Sequence, residues 1–314
     1  MLSLNPSTIS RALSDHPDIK EKTKEKVKAA ALEFNYQPNL HARYFRQKTS
    51  GLIAVILPEF NMFFHPELMK GISTVVEASG RSIIIFFSND SFEKEREIIN
   101  HCLSWAVDGV LISVSQNTKN GDHFMTLKSA EIPIVLMDKV ILNDNFTTIT
   151  IDDEKAAYDA TSFLLESGKT SLLGVFGNPD LQITKSRLEG FKSAIKGKSV
   201  RSEIKFIYAK DDNLVEQLKN LISSNQFDGV FTMSDEVLLT VHSMLHQLNL
   251  FPNQVLLSAI SDGILPKQLF PSIAYVKHSG YELGAQAALT LLNLKESKIE
   301  TMHVQIKTEM VMLQ

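Results

Sequence analysis

The chain has 314 residues, of which 44% are apolar and 22% are charged. This composition is ordinary for a globular protein and excludes a disordered chain and a fibrous repeat. The longest apolar runs, such as residues 82–87, are far shorter than the ~20 residues that cross a bilayer. The single cysteine, Cys102, excludes an intrachain disulfide and a multi-cysteine zinc site. No basic segment followed by an apolar stretch opens the chain, so we expect a cytoplasmic protein of two or three domains.

Charge is distributed unevenly along the chain. Residues 1–50 carry 9 Lys or Arg and 5 Asp or Glu, whereas residues 51–314 carry 23 and 31. A basic head on an acidic body favours a head that contacts a polyanion. A solvated helix face remains the alternative, because the lysines between residues 20 and 28 alternate with Glu21 and Glu25.

The first fifty residues predict short helices. Asn5 followed by Pro6 is typical of a helix start, because asparagine caps free N–H groups and proline suits the first helical position. This helix has an apolar face, formed by Ile9, Ala12 and Leu13, and an opposite polar face.

A second helix is predicted from Lys20 to Tyr36, with Val27, Ala31 and Phe34 facing inward. Pro38 ends this helix, because proline disfavours the helical conformation in the residue before it. The following segment, residues 40–48, is so short that it would be helical only against a partner.

Three segments carry a family resemblance: PSTISRAL at residues 6–13, EKTKEKV at 21–27 and FNYQPN at 34–39. In order and spacing they resemble the helix-turn-helix headpiece of the lactose/galactose-repressor (LacI/GalR) family. The resemblance implies a DNA-binding headpiece over residues 1–38, whose helix near Pro6 lies in the major groove. It also implies a hinge helix or linker over residues 39–50, which enters the minor groove as a dimeric pair.

The same resemblance assigns roles to individual residues. Pro6, Ser7 and Arg11 face base edges, and arginine can donate two bonds to guanine. Thr8 and Ser10 are placed for phosphates. Phe45 stands where the family usually has a wedging leucine, although it could instead pack on the core. The implied DNA-binding set is Pro6, Ser7, Thr8, Ser10, Arg11, Asn39, Ala42 and Phe45.

The headpiece departs from the family at its N-terminus. Family headpieces begin with a helix before the recognition helix, whereas here Met1 stands only three residues before Leu4. The headpiece is therefore incomplete. We expect a start site placed too late or a shortened chain to account for this, and genuine loss of the helix is the remaining alternative.

Residues 51–314 alternate short apolar runs with helical stretches, which indicates parallel sheets with helices on both faces. The predicted strands are 52–57, 83–87, 109–112, 133–136, 171–176, 204–207, 229–232 and 255–257, and the predicted helices include 67–78, 92–106 and 282–294. Residues 51–55 match residues 171–175, and the DGV sequence at 108–110 recurs at 228–230, both at an offset of 120. This internal repeat predicts two similar lobes.

The expected fold is therefore α/β, with a small all-α headpiece and a periplasmic-binding-protein-like core of two doubly wound parallel-sheet lobes. Lobe 1 would comprise about residues 51–150 and 278–305, and lobe 2 about 151–277 and 306–314. The family resemblance implies three chain crossings between the lobes, which makes a hinged clamp.

Ligands of open α/β sheets bind beyond the carboxyl ends of strands, so the polar and aromatic residues there are candidates for an effector site. They are Asn61, Phe63, Phe64, Asn89, Asp90, Asp138, Asp152, Arg187, Asp235, Ser261 and Asp262. Arg187 matches a family arginine that binds the effector, and Asp235, Ser261 and Asp262 match its polar positions. The family often has two adjacent acids at the last pair of positions, whereas this chain has Ser261 as the first.

These side chains suit a sugar, which offers many hydroxyls and apolar C–H patches. A purine or a phosphorylated sugar remains possible, with Arg187 as the anion partner. Nothing in the sequence predicts catalysis, a cofactor or a metal: His242 and His246 have a metal-compatible spacing but no evident third ligand.

The sequence therefore predicts a ligand-responsive transcriptional regulator, in our reading a repressor. It would bind near-palindromic double-stranded DNA as a homodimer, respond to a small-molecule effector, and have no membrane partner. The alternative is a sugar-binding module without DNA function, because the core also resembles periplasmic sugar-binding proteins and the headpiece is incomplete.

Overall fold

A computed structural model of the chain describes residues 4–13, 15–34, 49–60, 62–141, 144–207, 212–224, 226–296 and 301–312. The chain divides into two units, Met1–Ser50 and Gly51–Gln314. Of the hinge segment predicted over residues 39–50, only residues 49 and 50 are described, so the hinge helix stays a prediction. Among the described residues, no helix combines the length and the apolar character needed to cross a membrane.

The first unit contains two helices, α1 (Pro6–Leu13) and α2 (Glu21–Glu33). The Asn5 carbonyl accepts the N–H groups of Thr8 (2.9 Å) and Ile9 (3.1 Å), which fixes the start of α1 as the sequence predicted. Among the described residues of this unit, Ala12 and Val27 are the buried apolar side chains.

The predicted inward face of α2 is wrong at its C-terminal end. Val27 is buried, but Phe34 is 73% exposed. The helix ends at Glu33 and Phe34 is its C-cap residue, so helical periodicity no longer directs its ring. Salt bridges from Asp15 to Lys24 and Lys28, both of 3.3 Å, join the loop to α2 instead.

The second unit contains two six-stranded sheets. Sheet 1 has the order β11-β5-β4-β3-β1-β2, with all neighbours parallel. Its strands are β1 (Leu52–Leu57), β2 (Ser82–Phe87), β3 (Gly109–Ile112), β4 (Ile134–Met137), β5 (Thr147–Ile151) and β11 (His303–Ile306). The polar strand β5 was not predicted, because its sequence, TTITI, is not a continuous apolar run.

Sheet 2 repeats this winding in the order β12-β10-β9-β8-β6-β7, and only β12 is antiparallel to its neighbour. Its strands are β6 (Ser171–Phe176), β7 (Arg201–Phe206), β8 (Gly229–Thr232), β9 (Leu256–Ser261), β10 (Ala274–Lys277) and β12 (Glu309–Val311). The predicted α/β core of two parallel-sheet lobes is confirmed.

Helices cover both faces of the sheets. They are α3 (His65–Ala78), α4 (Phe92–Ser104), α5 (Met125–Ser129), α6 (Asp153–Glu166), α7 (Gln182–Ile195), α8 (Asp212–Ser223), α9 (Asp235–Gln247), α10 (Ile264–Gln268) and α11 (Gly280–Glu296). Burial on both faces explains the continuous apolar strands: Ile53 and Val55 join one hydrophobic cluster, and Ala54 and Ile56 join another.

The chain passes from one sheet to the other three times. The crossings lie between β5 and β6, between β10 and β11, and between β11 and β12. Each lobe therefore contains a β-strand that the chain forms after it returns from the other lobe. Three backbone segments connect the two lobes.

The internal repeat is real, but its predicted alignment is out of register at the first strand. The Ser82 N–H bonds to the Gly51 carbonyl and the Arg201 N–H to the Thr170 carbonyl, which is an offset of 119 rather than 120. Gly109 of β3 pairs with Ile53, and Gly229 of β8 pairs with Leu172. The DGV segments keep the offset of 120. Lobe 2 therefore has one residue more between β7 and β8 than lobe 1 has between β2 and β3. Apolar runs tolerate such a slip in a sequence comparison, because every residue in them is buried.

Two glycines at the same 119-residue offset bring helices into close contact. A Cβ on Gly71 of α3 would overlap the Tyr281 carbonyl oxygen of α11. In lobe 2, a Cβ on Gly190 of α7 would likewise overlap the Glu154 carbonyl oxygen of α6. In both lobes, therefore, the helix after the first strand packs its backbone against the helix that follows a crossing.

We expect Gly190→Ala to lower the free energy of unfolding of the core by about 1–3 kcal/mol, because backbone must move to admit the methyl group. Urea and thermal unfolding measure the loss. Ser193→Ala, an exposed change on the same helix, should stay within about 0.5 kcal/mol of the parent. Equal stability of the Gly190 variant and the parent would contradict this account of the packing.

Candidate functional site

A cavity of about 220 Å³ lies between the two lobes, at the carboxyl ends of their strands. Lobe 1 contributes residues that follow β1, β2, β3 and β4, and lobe 2 contributes residues that follow β6, β7, β8, β9 and β10. This is the place where open α/β sheets bind ligands. It is also the place from which the sequence analysis drew its candidates.

Seven members of the predicted effector set line the cavity. They are Phe64, Asp90, Asp138, Arg187, Asp235, Ser261 and Asp262. Asn61 lies outside the described residues. The remaining three, Phe63, Asn89 and Asp152, are not part of the lining.

Each of these three has another role or position. The Asp152 side chain accepts the Lys155 N–H at 3.0 Å and caps α6. Asn89 is exposed in a left-handed turn with φ of 52°. The Phe63 ring is 38% exposed, and only its backbone N–H reaches the other lobe, where it donates to Glu236 Oε1 at 3.2 Å.

Arg187 is 2% exposed and its guanidinium is largely engaged by the protein. Its Nε donates to Asp153 Oδ1 at 2.8 Å, and its Nη1 donates to the Met233 carbonyl. Burial raises the pKa of Asp153 to about 6, against the opposing positive charge of Arg187. Within the described part of the chain, Nη2 has no hydrogen-bond partner.

Asp235, Ser261 and Asp262 form one hydrogen-bonded cluster at the ends of β8 and β9. The Ser261 hydroxyl donates to Asp235 Oδ1 at 2.5 Å, and the Asp262 N–H donates to Oδ2 of the same carboxylate at 3.4 Å. Burial raises the pKa of Asp235 to about 6. Burial, with the negative charge of Glu67 adding to it, raises the pKa of Asp262 to about 6 as well.

His278 is a site residue that the sequence analysis missed. It follows β10, is 6% exposed, and lies against Phe64 with ring centroids 4.2 Å apart. Burial lowers the pKa of His278 well below its ordinary value, and the charge of Arg187 adds to the effect. The imidazole is therefore neutral, and its Nε2 has no partner among the described residues.

Other missed lining residues join the two lobes directly. Asn178 Nδ2 of lobe 2 donates to Gln116 Oε1 of lobe 1 at 3.2 Å. The bond from Phe63 to Glu236 is a second link of this kind. Gln116, Asn178 and Glu236 follow predicted strands closely, so the strand-end criterion could have found them. His278 was missed because the strand before it was not predicted.

The headpiece presents the predicted base-reading face of α1 to solvent. Pro6, Ser7 and Arg11 are exposed, and Thr8 and Ser10 are half-buried. The predicted hinge contacts Asn39, Ala42 and Phe45 lie outside the described residues.

His242 and His246 do not form part of a metal site in the described part of the chain, where no group of three or more potential ligands occurs. His242 is buried, and its ring packs against Phe251 with centroids 5.3 Å apart.

Comparison with known proteins gives matches over both units. Residues 53–294 match the model of the periplasmic binding protein domain. Residues 5–39 match the model of bacterial regulatory proteins of the lacI family.

Relatives match over most of their length. A ribose operon repressor from Halalkalibacterium halodurans is 28% identical over 97% of this chain and 91% of its own. Catabolite control protein A from Priestia megaterium is 26% identical over 91% of this chain and 87% of its own. A solved periplasmic binding protein/LacI transcriptional regulator from Alkaliphilus metalliredigens, complexed with D-xylulofuranose, has a TM-score of 0.73 at 20% identity, covering 83% of this chain and 97% of that one.

The family resemblance seen in the headpiece is thus confirmed, and the fold of the core agrees with it. The chain belongs to the lacI family of bacterial regulatory proteins, with a core of the periplasmic-binding-protein type.

Proposed function

We propose that this protein is a transcriptional repressor that binds a near-palindromic operator as a homodimer and responds to a sugar held between its lobes. The observation that carries the proposal is the presence of two recognition surfaces in one chain. One is a lacI-type headpiece with an exposed polar helix face, and the other is a cavity between the lobes whose lining includes carboxylates, Arg187 and His278. Such a regulator acts on DNA in the cytoplasm.

The DNA-binding role rests on the residues of α1. Arg11 reads a guanine edge in the major groove, and Pro6 and Ser7 contact neighbouring bases. Thr8 and Ser10 contact phosphates, which position the helix without reading sequence. Asn39, Ala42 and Phe45 act in the minor groove, where an inserted aromatic ring can unstack a base step.

The effector role rests on the cavity and on what related proteins bind. One related protein is named as a ribose operon repressor, and one structural relative holds D-xylulofuranose. Buried carboxylates, amides and hydroxyls at strand ends are suited to sugar hydroxyls, and Phe64 adds an apolar surface. We assign Phe64, Asp138, Arg187, Asp235, Ser261 and Asp262 to this site.

The effector would act by changing the population of lobe arrangements. A ligand shifts such an equilibrium only if it binds one arrangement more tightly than the other. A ligand that contacts Asp138 in lobe 1 and Asp235 in lobe 2 meets this condition, because those contacts exist together only in one arrangement. The three crossings then transmit the rearrangement to the start of the core, where the hinge joins it.

Homodimerisation would use the exposed edge of sheet 1. The edge strand β2 carries Ile85, which is 44% exposed, between the half-buried Ile83 and Phe87. The β2 edge groove, between this strand and α3, also contains Lys70, Arg81 and Glu77. Charges of both signs in one patch suit a twofold interface, in which the same surface meets itself.

For the headpiece, we expect Arg11→Ala to lose about 1–3 kcal/mol of discrimination between operator and random DNA, because it removes a base contact. Lys48→Ala should weaken binding to both DNAs alike, since a phosphate contact carries no sequence information. Affinity is measured against salt on an operator selected from random sequences. Equal losses on the two DNAs for Arg11→Ala would contradict the assigned role.

For the dimer, we expect Ile85→Lys to weaken self-association at least about tenfold, because an unpaired ammonium would be buried in the apolar contact. Sedimentation at several concentrations measures the change. Leu239→Lys, at a lobe 2 site that is 40% exposed, is the matched control and should leave the oligomeric state unaltered. If both variants behave as the parent does, the interface lies elsewhere.

For the buried carboxyls, the sign of the pH dependence follows from the raised pKa. The pKa of Asp235 is about 6 in the folded protein and 3.8 in its ordinary state. The folded state therefore binds more protons between those values, and the resulting stability is lost as the pH rises toward 6. As the pH rises from about 4 to 7, the free energy of unfolding of Asp235→Asn should therefore increase relative to that of the parent by up to about 3 kcal/mol.

Thermal unfolding across that pH range measures the difference. Asp180→Asn, which changes an exposed carboxyl near the same cavity, should differ from the parent by a constant amount. If the difference in stability between Asp235→Asn and the parent does not change with pH, burial does not raise the pKa of this carboxyl.

A further inference from the structure

We propose that the cavity selects an uncharged polyhydroxy ligand, a sugar without phosphate, and that Asp90, Asp138 and Glu236 impose this selection by their charge. The inference rests on the proposed function, because it takes the effector to occupy this cavity. It decides among the effector classes that the sequence left open, of which a phosphorylated sugar was one.

The lining of the cavity carries an excess of negative charge. The cavity is lined by 5 carboxylates, from Asp90, Asp138, Asp235, Glu236 and Asp262, and by 2 cationic side chains, from Lys139 and Arg187. The charge of Arg187 is already balanced by Asp153, at 2.8 Å behind it. The cavity is therefore strongly negative, and a phosphate dianion entering it would meet like charges at close range.

The Arg187 guanidinium is already engaged by the protein. Arginine holds a phosphate best when two parallel N–H groups of its planar fork face two oxygens. Here Asp153 occupies Nε and the Met233 carbonyl occupies Nη1. Only Nη2 remains without a partner among the described residues. Two of the five N–H groups of Arg187 are thus already used by the protein, including the Nε–H of its side-on fork, which weakens its grip on a phosphate, while Nη2 can still donate to a hydroxyl oxygen.

Buried polar atoms of Arg187 and His278 have no hydrogen-bond partner among the described residues. Arg187 Nη2 is a donor, and His278 Nε2 can be a donor or an acceptor because the ring is neutral. Both atoms are buried, and within the described chain neither has a hydrogen-bond partner. Buried polar groups of this kind are normally satisfied. A hydroxyl both accepts and donates, so a ligand with several hydroxyls can satisfy the two together.

The three selecting carboxylates are held in place by protein donors. Asp90 Oδ1 accepts the Gln116 N–H at 3.1 Å. Asp138 Oδ2 accepts the Ser113 hydroxyl at 3.4 Å, and Glu236 Oε1 accepts the Phe63 N–H at 3.2 Å. They therefore cannot swing away from an incoming anion without breaking a hydrogen bond, while their second oxygens can still accept sugar hydroxyls.

The test compares neutral sugars with their phosphates on the full chain. The probes are ribose and ribose 5-phosphate, xylulose and xylulose 5-phosphate, fructose and fructose 1-phosphate, and glucose and glucose 6-phosphate. Titration calorimetry and thermal shift near neutral pH report binding. We expect at least one neutral sugar to bind, and its phosphate to bind about 100-fold more weakly or not at all.

Charge-removing variants then test the assigned residues. The double variant Asp90→Asn, Glu236→Gln keeps the hydrogen-bond acceptors but removes two negative charges, so the preference for the neutral sugar should fall about tenfold. Glu97→Gln, which removes an exposed charge from α4 away from the cavity, is the matched control and should leave the preference as it is.

The outcomes separate this inference from the proposed function. A phosphorylated sugar that binds as tightly as its neutral form, or more tightly, overturns the inference and leaves a sugar-controlled regulator intact. An unchanged preference in the double variant overturns the role of the carboxylates. Failure of every pair, neutral and phosphorylated alike, removes the sugar effector itself and the inference with it.

Discussion

Parallel winding is the constraint on which the rest of the core depends. Neighbouring parallel strands must be joined by crossovers, so all their carboxyl ends fall at the same edge of the sheet. In this chain two such edges face one cavity, and residues that follow nine different strands line it. The site is therefore assembled from short loop segments distant in sequence, each fixed by the buried strand before it.

That arrangement places charge where water is scarce. Asp235 and Asp262 have pKa values raised to about 6 by burial, and the charge of Arg187 is matched by a carboxylate outside the lining. Buried ions of this kind cost free energy unless they are paired or hydrogen-bonded. Their hydrogen bonds to Ser261, Met233 and Asp153 offset part of that cost. The Nη2 atom of Arg187 and the Nε2 atom of His278 have no partner among the described residues, so part of the cost remains for a ligand to offset.

The two lobes also share a packing device. Gly71 in lobe 1 and Gly190 in lobe 2 each let a helix lie against the backbone of the helix that follows a crossing. The close fit fixes each helix after a first strand against a helix that lies in a connection between the two lobes.

The sequence by itself determined the local elements and the family. Most strand positions followed from apolar runs, although β5 and β10 were missed, and the start of α1 followed from Asn5 and Pro6. The headpiece followed from three short segments in the right order. It also located Phe64, Asp90, Asp138, Asp235, Ser261 and Asp262, because the end of a buried strand is visible as the point where an apolar run becomes polar, and it located Arg187 through the family resemblance.

Only the tertiary structure decided how those residues are used. Asp152 follows a strand as Asp138 does, but it caps α6, and Phe34 continues the apolar spacing of α2 but is exposed because the helix has ended. The engagement of Arg187 by Asp153 and Met233, the neutrality of His278 and the register of the repeat are likewise absent from any local pattern. Hydrogen-bond partners and burial come from segments far apart in the chain, and single-residue shifts inside an all-buried strand leave no trace in its apolar pattern.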